Sequence, residues 1–292
     1  MISEFSMKEI TGKIWQILKE YICDFVWNFL SLWDWRNDNF SCQENDGERA
    51  GFYRILLAAA VLLGTFLRIF VFLREPEISR DAVYYLTVAE IWHDKGFSAL
   101  LQQNPSFYTP PVMPGLIVLF ITAGMTPLFA GVLLNLLTGI LLIPLFYLIG
   151  KFLFDSRKAG VTAAFLASFN PVLTDCSVDV TRENCMLVFM ALFLLCMILG
   201  LRRKNIWILP GGFTLSWSIC SRYEAAELLM LTGMTFIVFA LMKIYTVRKL
   251  LICSILLLTG MAAGFGVLHW IFGIPIDFYM NIFLLKIRGC FV

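Results

Sequence analysis

Of 292 residues, 59% are apolar and only 15% charged, and the mean hydropathy is +0.79. A soluble domain usually carries about a quarter charged residues, so the composition excludes one and points to a chain embedded in lipid. The formal net charge of +2 offers no polyanion-binding surface, and no nucleic-acid partner is expected.

Residues 1–50 come first. Here Trp15, Trp27, Trp33 and Trp35 alternate with Lys13, Lys19, Glu20 and Asp24. That mixture predicts one or two amphipathic helices at the membrane interface, with no cleavable signal peptide. Residues 37–49 (NDNFSCQENDGER) read as a polar linker. A span over residues 14–33 is the alternative, but it would bury too many charges.

Residues 51–292 then form a transmembrane domain. A helix rises about 1.5 Å per residue, so roughly 20 apolar residues cross the hydrocarbon core. Runs of this kind lie at 52–73, 126–149, 159–174, 184–201, 206–219, 225–242 and 250–272, with a further apolar piece at 275–285. Only helices satisfy their own backbone polar groups in lipid without closing a barrel. The predicted fold is therefore an all-α, polytopic helical bundle. Residues 110–124 (PPVMPGLIVLFITAG) are apolar but short, and predict a half-inserted or interfacial helix before one full crossing.

Basic residues set the orientation. They cluster at Lys151/Arg157/Lys158, Arg202/Arg203/Lys204 and Lys243/Arg248/Lys249. The positive-inside rule places these clusters, and the N-terminus with Arg49 and Arg54, in the cytoplasm. Loops 74–111, 175–183 and 221–224 then face out.

Each outer loop brings acid and base to the same face. In the first, Asp81 precedes an apolar stripe of Ala82, Tyr85, Leu86, Ala89 and Trp92, and Gly96 is a natural stop. This predicts an amphipathic helix along the membrane surface over residues 82–95. Asp81 is either its N-cap or a functional acid, and the roles are compatible. The second loop, DCSVDVTREN, carries Asp175, Asp179, Arg182 and Glu183, for which capping and a surface ion pair are the plain alternative. The third, CSRYEAAE, carries Arg222, Glu224 and Glu227. Glu227 reads as one turn into an apolar helix, with Arg222 as its expected partner. Trp92 reads as an interfacial anchor and His93 as a solvated neighbour. No CxxC pair or Cys/His cluster joins the eight cysteines to His93 or His269, so no metal or other cofactor is expected.

An ordered set of motifs resembles the C-type (GT-C) membrane glycosyltransferases, of the protein O-mannosyltransferase and aminoarabinose-transferase type (glycosyltransferase family 39). The motifs are Asp81-Ala-Val-Tyr84-Tyr85 with Ala89 and Gly96, Pro110-Pro111 with Pro114, and GKFLFDSRKA over residues 150–159. Asn170-Pro171, Arg182-Glu183 and Ser221-Arg222-Tyr223-Glu224 follow, so the resemblance covers about residues 55–231. Many relatives carry Asp-Glu where this chain has Arg80-Asp81, so one acid stands in place of two. Relatives commonly continue with further spans, which implies a C-terminally truncated or minimal member.

The resemblance implies a sugar taken from a polyprenyl-phosphate donor and passed to a lipid, glycan or protein acceptor on the extracytoplasmic side. By the same token Asp81 is the candidate general base, and Arg222 and Arg182 the candidate ligands of the donor phosphate. Glu183, Glu224, Tyr84 and Tyr85 are candidates for orienting substrate, one tyrosine remaining a candidate interfacial anchor. Membrane lipids are the other expected partners. A transporter and an inactive scaffold are the alternatives. Against the first, no internal repeat is visible and the charges sit at span ends.

Overall fold

Leucine, isoleucine, phenylalanine and alanine dominate residues 52–73, and the backbone satisfies itself there as one helix, α1 (Ala50–Arg74). The computed structural model describes residues 50–74, 79–103, 109–275 and 277–279. The interfacial helices and linker expected over residues 1–49 lie outside these, as does most of the apolar piece at 275–285. The chain divides after Phe52, and the bundle is built from Tyr53 onwards. Among the described residues every regular element is helical, as the composition requires.

Ser79 caps α2 (Arg80–Lys95): its hydroxyl accepts from the Ala82 N–H at 3.1 Å. Asp81 is therefore a first-turn residue and not the cap, because the chain enters the helix two residues earlier than the pattern suggested. A carboxylate there still complements the helix dipole. Gly96 ends α2 with φ +81°, a value glycine adopts without strain. The expected stripe is buried at Ala82, Tyr85, Ala89 and Trp92, joined by Val88. α3 (Phe97–Gln103) and α4 (Val112–Thr122) follow. At 11 residues, α4 rises only about 16 Å, roughly half a crossing, as its length in the sequence implied.

α5 (Pro127–Phe154) returns the chain to the other end of the bundle. The single span expected at 159–174 is in fact broken. α6 (Arg157–Phe169) and α7 (Pro171–Val178) meet at 55°. The cause is Asn170-Pro171. Proline has no N–H and drives the residue before it out of the helical region, and Asn170 duly turns extended and caps α7 through Leu173 N at 3.0 Å. α8 (Glu183–Arg202), α9 (Ile208–Ser221), α10 (Glu227–Leu241) and α11 (Val247–Phe272) complete the order, each within a few residues of its apolar run.

Among the described residues five helices are long and apolar enough to cross a membrane: α1, α5, α8, α11 and the stretch from Tyr223 through α10. Counting α6–α7 as one broken span makes six. The chain is an integral, multi-pass membrane protein. α9, at 14 residues, falls short of that length but packs most extensively against α11 and α8, which shield it.

The α9–α11 contact depends on small residues. A Cβ on Gly212 would collide with the Leu257 carbonyl, and one on Gly260 with the Leu209 carbonyl. Ser216 and Gly264, each four residues on, extend the two small faces, the pattern that lets membrane helices approach closely. Gly260→Leu is expected to cost at least the upper end of about 1–3 kcal/mol, since rigid backbone stands in the way. A thermal midpoint in detergent equal to that of the parent would show that the two helices do not meet there.

Short contacts gather charged residues at the two ends of the bundle. At one end Arg202 binds Asp155 at 2.9 Å and the carbonyls of Phe152 and Leu153, while Lys249 donates to the Leu201 carbonyl at 2.8 Å. The three basic clusters thus share one end. The other end holds the start of α2, the α7–α8 turn and the α9–α10 turn.

Candidate active site

Arg222 sits where α9 stops, in extended conformation, its N–H bonded to the Ser218 carbonyl at 3.0 Å. Its Nη1 donates to Glu183 Oε1 at 2.9 Å, and its Nε lies 3.4 Å from Glu224 Oε2, an ion pair without hydrogen-bond alignment. Glu183 is the first residue of α8, where free N–H groups favour a negative charge. Arg222 and Glu183 are each about a third exposed. The pair is thus partly screened by solvent, and its importance lies in placing a guanidinium fork rather than in stability.

The α7–α8 turn is fastened to α2. Asp179 Oδ1 accepts from Val180 N at 2.8 Å and from Ser79 N at 3.4 Å, joining residues 100 apart. The fastening brings Tyr85 into the field of both loops. Burial pushes the Tyr85 phenol up; Arg182 opposes the shift, while Asp81, Glu183 and Tyr84 add to it. Tyr85 therefore remains a protonated donor amid Asp81, Arg182 and Glu183. Tyr84 meets Tyr85 edge-on at 5.6 Å, and its hydroxyl lies 2.6 Å from Thr109 Oγ1. Tyr84 is exposed, the position expected of an interfacial anchor, whereas Tyr85 is buried. The same apolar cluster packs Tyr85, Val180, Cys185 and Cys220 with Tyr223 against it.

Arg222 thus joins Glu183 and Glu224 directly, and Asp81, Arg182 and Glu183 each act electrostatically on the Tyr85 phenol. Two expectations are corrected. Glu227 is not Arg222's partner: the 3₁₀ turn Tyr223–Ala226 presents Glu224 to the guanidinium and carries Glu227 out to the exposed start of α10. Trp92 is not an interfacial anchor, since it is buried against Phe97 and Phe272, with ring centroids 4.7 and 5.9 Å away. Its place on the apolar stripe outweighs its preference for the interface. Arg80, Asp175 and His93 are exposed, His93 lying 3.4 Å from Thr122 Oγ1. Among the described residues no three Asp, Glu, His or Cys side chains gather as a metal site would need.

Sequence reasoning missed Arg68, which is fully buried in α1. The signal was present as a cation far inside an apolar run, a placement that is costly unless it has a role.

Residues 108–272, more than half of the chain, match the model of the dolichyl-phosphate-mannose-protein mannosyltransferase family. The chain belongs to this family. No curated protein and no solved structure matches it. The family is one of C-type glycosyltransferases, which agrees with the motif order along the chain and sets the transporter alternative aside. The matched stretch of this mannosyltransferase-family member runs from just before α4 to the end of α11. It contains Arg182, Glu183, Arg222 and Glu224, while Asp81, Tyr84 and Tyr85 precede it.

Proposed function

We propose that the protein transfers a sugar from a polyprenyl-phosphate donor to an acceptor hydroxyl on the extracytoplasmic side of the membrane. The Arg222–Glu183 pair carries this reading: it holds a planar, two-pronged cation at the end of the bundle, about a third of it open to an incoming phosphate. Arg182, on the neighbouring turn, adds a second cation. The family's name favours mannose as the sugar and a protein as the acceptor.

In the proposed reaction the acceptor oxygen attacks the anomeric carbon and the bond from that carbon to the phosphate oxygen breaks. The lipid phosphate leaves with the bonding electron pair, and Arg222 and Arg182 stabilise its charge. The exposed Asp81 carboxylate receives the acceptor's proton. Tyr85 donates a hydrogen bond to the substrate, Glu183 orients Arg222, and Glu224 and Tyr84 line the rim. This route needs no metal ion. Purified protein in liposomes, given mannose-labelled polyprenyl phosphate and a hydroxyl-bearing peptide, should release polyprenyl phosphate and label the peptide. No release under any acceptor condition would overturn the proposal.

Sidedness rests on the basic end of the bundle, which the positive-inside rule assigns to the cytoplasm together with the N-terminal segment 1–50. A membrane-impermeant thiol reagent added outside should reach a cysteine placed at exposed Glu90 on α2 and not one at exposed Lys204. The reverse pattern would put the site on the wrong face for this function.

A further inference from the structure

Arg68 lies six residues before the end of α1 and is fully buried. Its partners are neutral: Nε donates to Ser177 Oγ at 3.1 Å, Nη1 to the Gly64 carbonyl at 3.0 Å and Nη2 to the Ala167 carbonyl at 3.4 Å. The Ala167 carbonyl explains part of this arrangement. Its helical partner four residues on would be the N–H of Pro171, which does not exist. The guanidinium therefore reaches across from α1 to satisfy the carbonyl that the α6–α7 break leaves open. Ser168, beside it, also ties α6 to α1 through the Ala60 carbonyl at 2.8 Å.

Ser177 passes the contact on. Its hydroxyl also accepts from Asn184 Nδ2 at 3.0 Å, and Asn184, fully buried, follows Glu183 directly in α8. A chain of buried bonds thus runs from α1 through α7 to the first turn of α8. Its far end is one residue from Glu183 and two from Arg182. The fork, and not the charge alone, is what this site uses: three donors point to three acceptors on two different elements and on α1 itself.

We propose that Arg68 is a positioning residue for the transfer site, holding the α7–α8 turn through Ser177 so that Arg182 and Glu183 meet Arg222. The proposal rests on the role given above to those residues at the donor phosphate. Because Arg68 acts through the turn, losing it disturbs donor recognition and leaves the acceptor's own contacts alone.

The test uses the full chain in lipid nanodiscs, with Arg68→Gln and the milder Ser177→Ala, and mannose-labelled polyprenyl phosphate as donor. Spin labels encoded at exposed positions 90 on α2 and 175 on α7 read the placement of the turn without reference to activity. Both variants are expected to broaden the 90–175 distance distribution. They should also raise the donor KM several-fold at unchanged acceptor KM, and lower kcat by up to about 10²-fold, the scale of a misplacement near 1 Å. A distance distribution identical to the parent's overturns the proposal. So does a fall in kcat with both KM values unchanged, which reports only fewer folded molecules. If Arg68→Gln does not fold, Ser177→Ala decides. If the parent itself transfers no sugar, the proposed function fails, and the spin-label distances still decide the role of Arg68.

Discussion

Asp81→Asn is expected to lower sugar transfer by about 10²–10⁴-fold, the usual contribution of a positioned general base. The amide keeps the size and first-turn position of the carboxylate but cannot take the acceptor proton. Donor binding should survive, because the phosphate contacts assigned to Arg222 and Arg182 lie on other elements. The Ser79 cap and the Ser79–Asp179 bond do not involve the Asp81 side chain, so α2 should remain docked. Turnover and donor affinity are measured separately, the latter by titrating labelled donor without acceptor. Near-normal transfer by Asp81→Asn would reduce Asp81 to a dipole-complementing residue of the first turn. Glu183 is a poor replacement as base, since it is committed to Arg222 at 2.9 Å.

Arg222→Ala should fail differently, with donor affinity and turnover falling together. A phosphate contact exists before transfer and strengthens as the leaving group gains charge. Removing one preorganised donor to a developing oxyanion costs about 10²–10³-fold in kcat. Arg222→Lys is expected to recover only part of the loss, because an ammonium cannot serve Glu183, Glu224 and phosphate with a planar fork. Full activity of the lysine variant would show that a point charge suffices. An unchanged donor affinity in Arg222→Ala would place the phosphate elsewhere, with Arg182 as the remaining cation on the same face.

The crossing helices were legible in the sequence because hydropathy sums over a window, and α1, α5, α8, α10 and α11 each supply a long apolar sum. The short α4 and the stop at Gly96 were legible from length and from one residue's backbone freedom. What escaped were the features that a sum conceals. Asn170-Pro171 sits within apolar neighbours, so a window reads one span where local chemistry makes two helices. Arg68 was outvoted in the same way by the leucines and phenylalanines around it. The Arg222–Glu183 pair spans 39 residues and leaves no local trace. Only the coincidence of acids and bases in three loops hinted at a common site, and the nearest acid in sequence, Glu224, proved to be just one of two partners.

The wiring of Arg68 also bears on how the protein is made. The Ala167 carbonyl and the Ser177 hydroxyl follow it by 99 and 109 residues. At a synthesis rate of about 5–20 residues per second, these partners emerge roughly 5–20 s after Arg68 itself. Through that interval α1 carries a cation that lipid cannot solvate, and the stem of the side chain is long enough to lift the charge towards headgroups or water. The first helix is therefore expected to settle at its final depth only when α6 and α7 arrive and the acceptors at Ala167 and Ser177 reach Arg68.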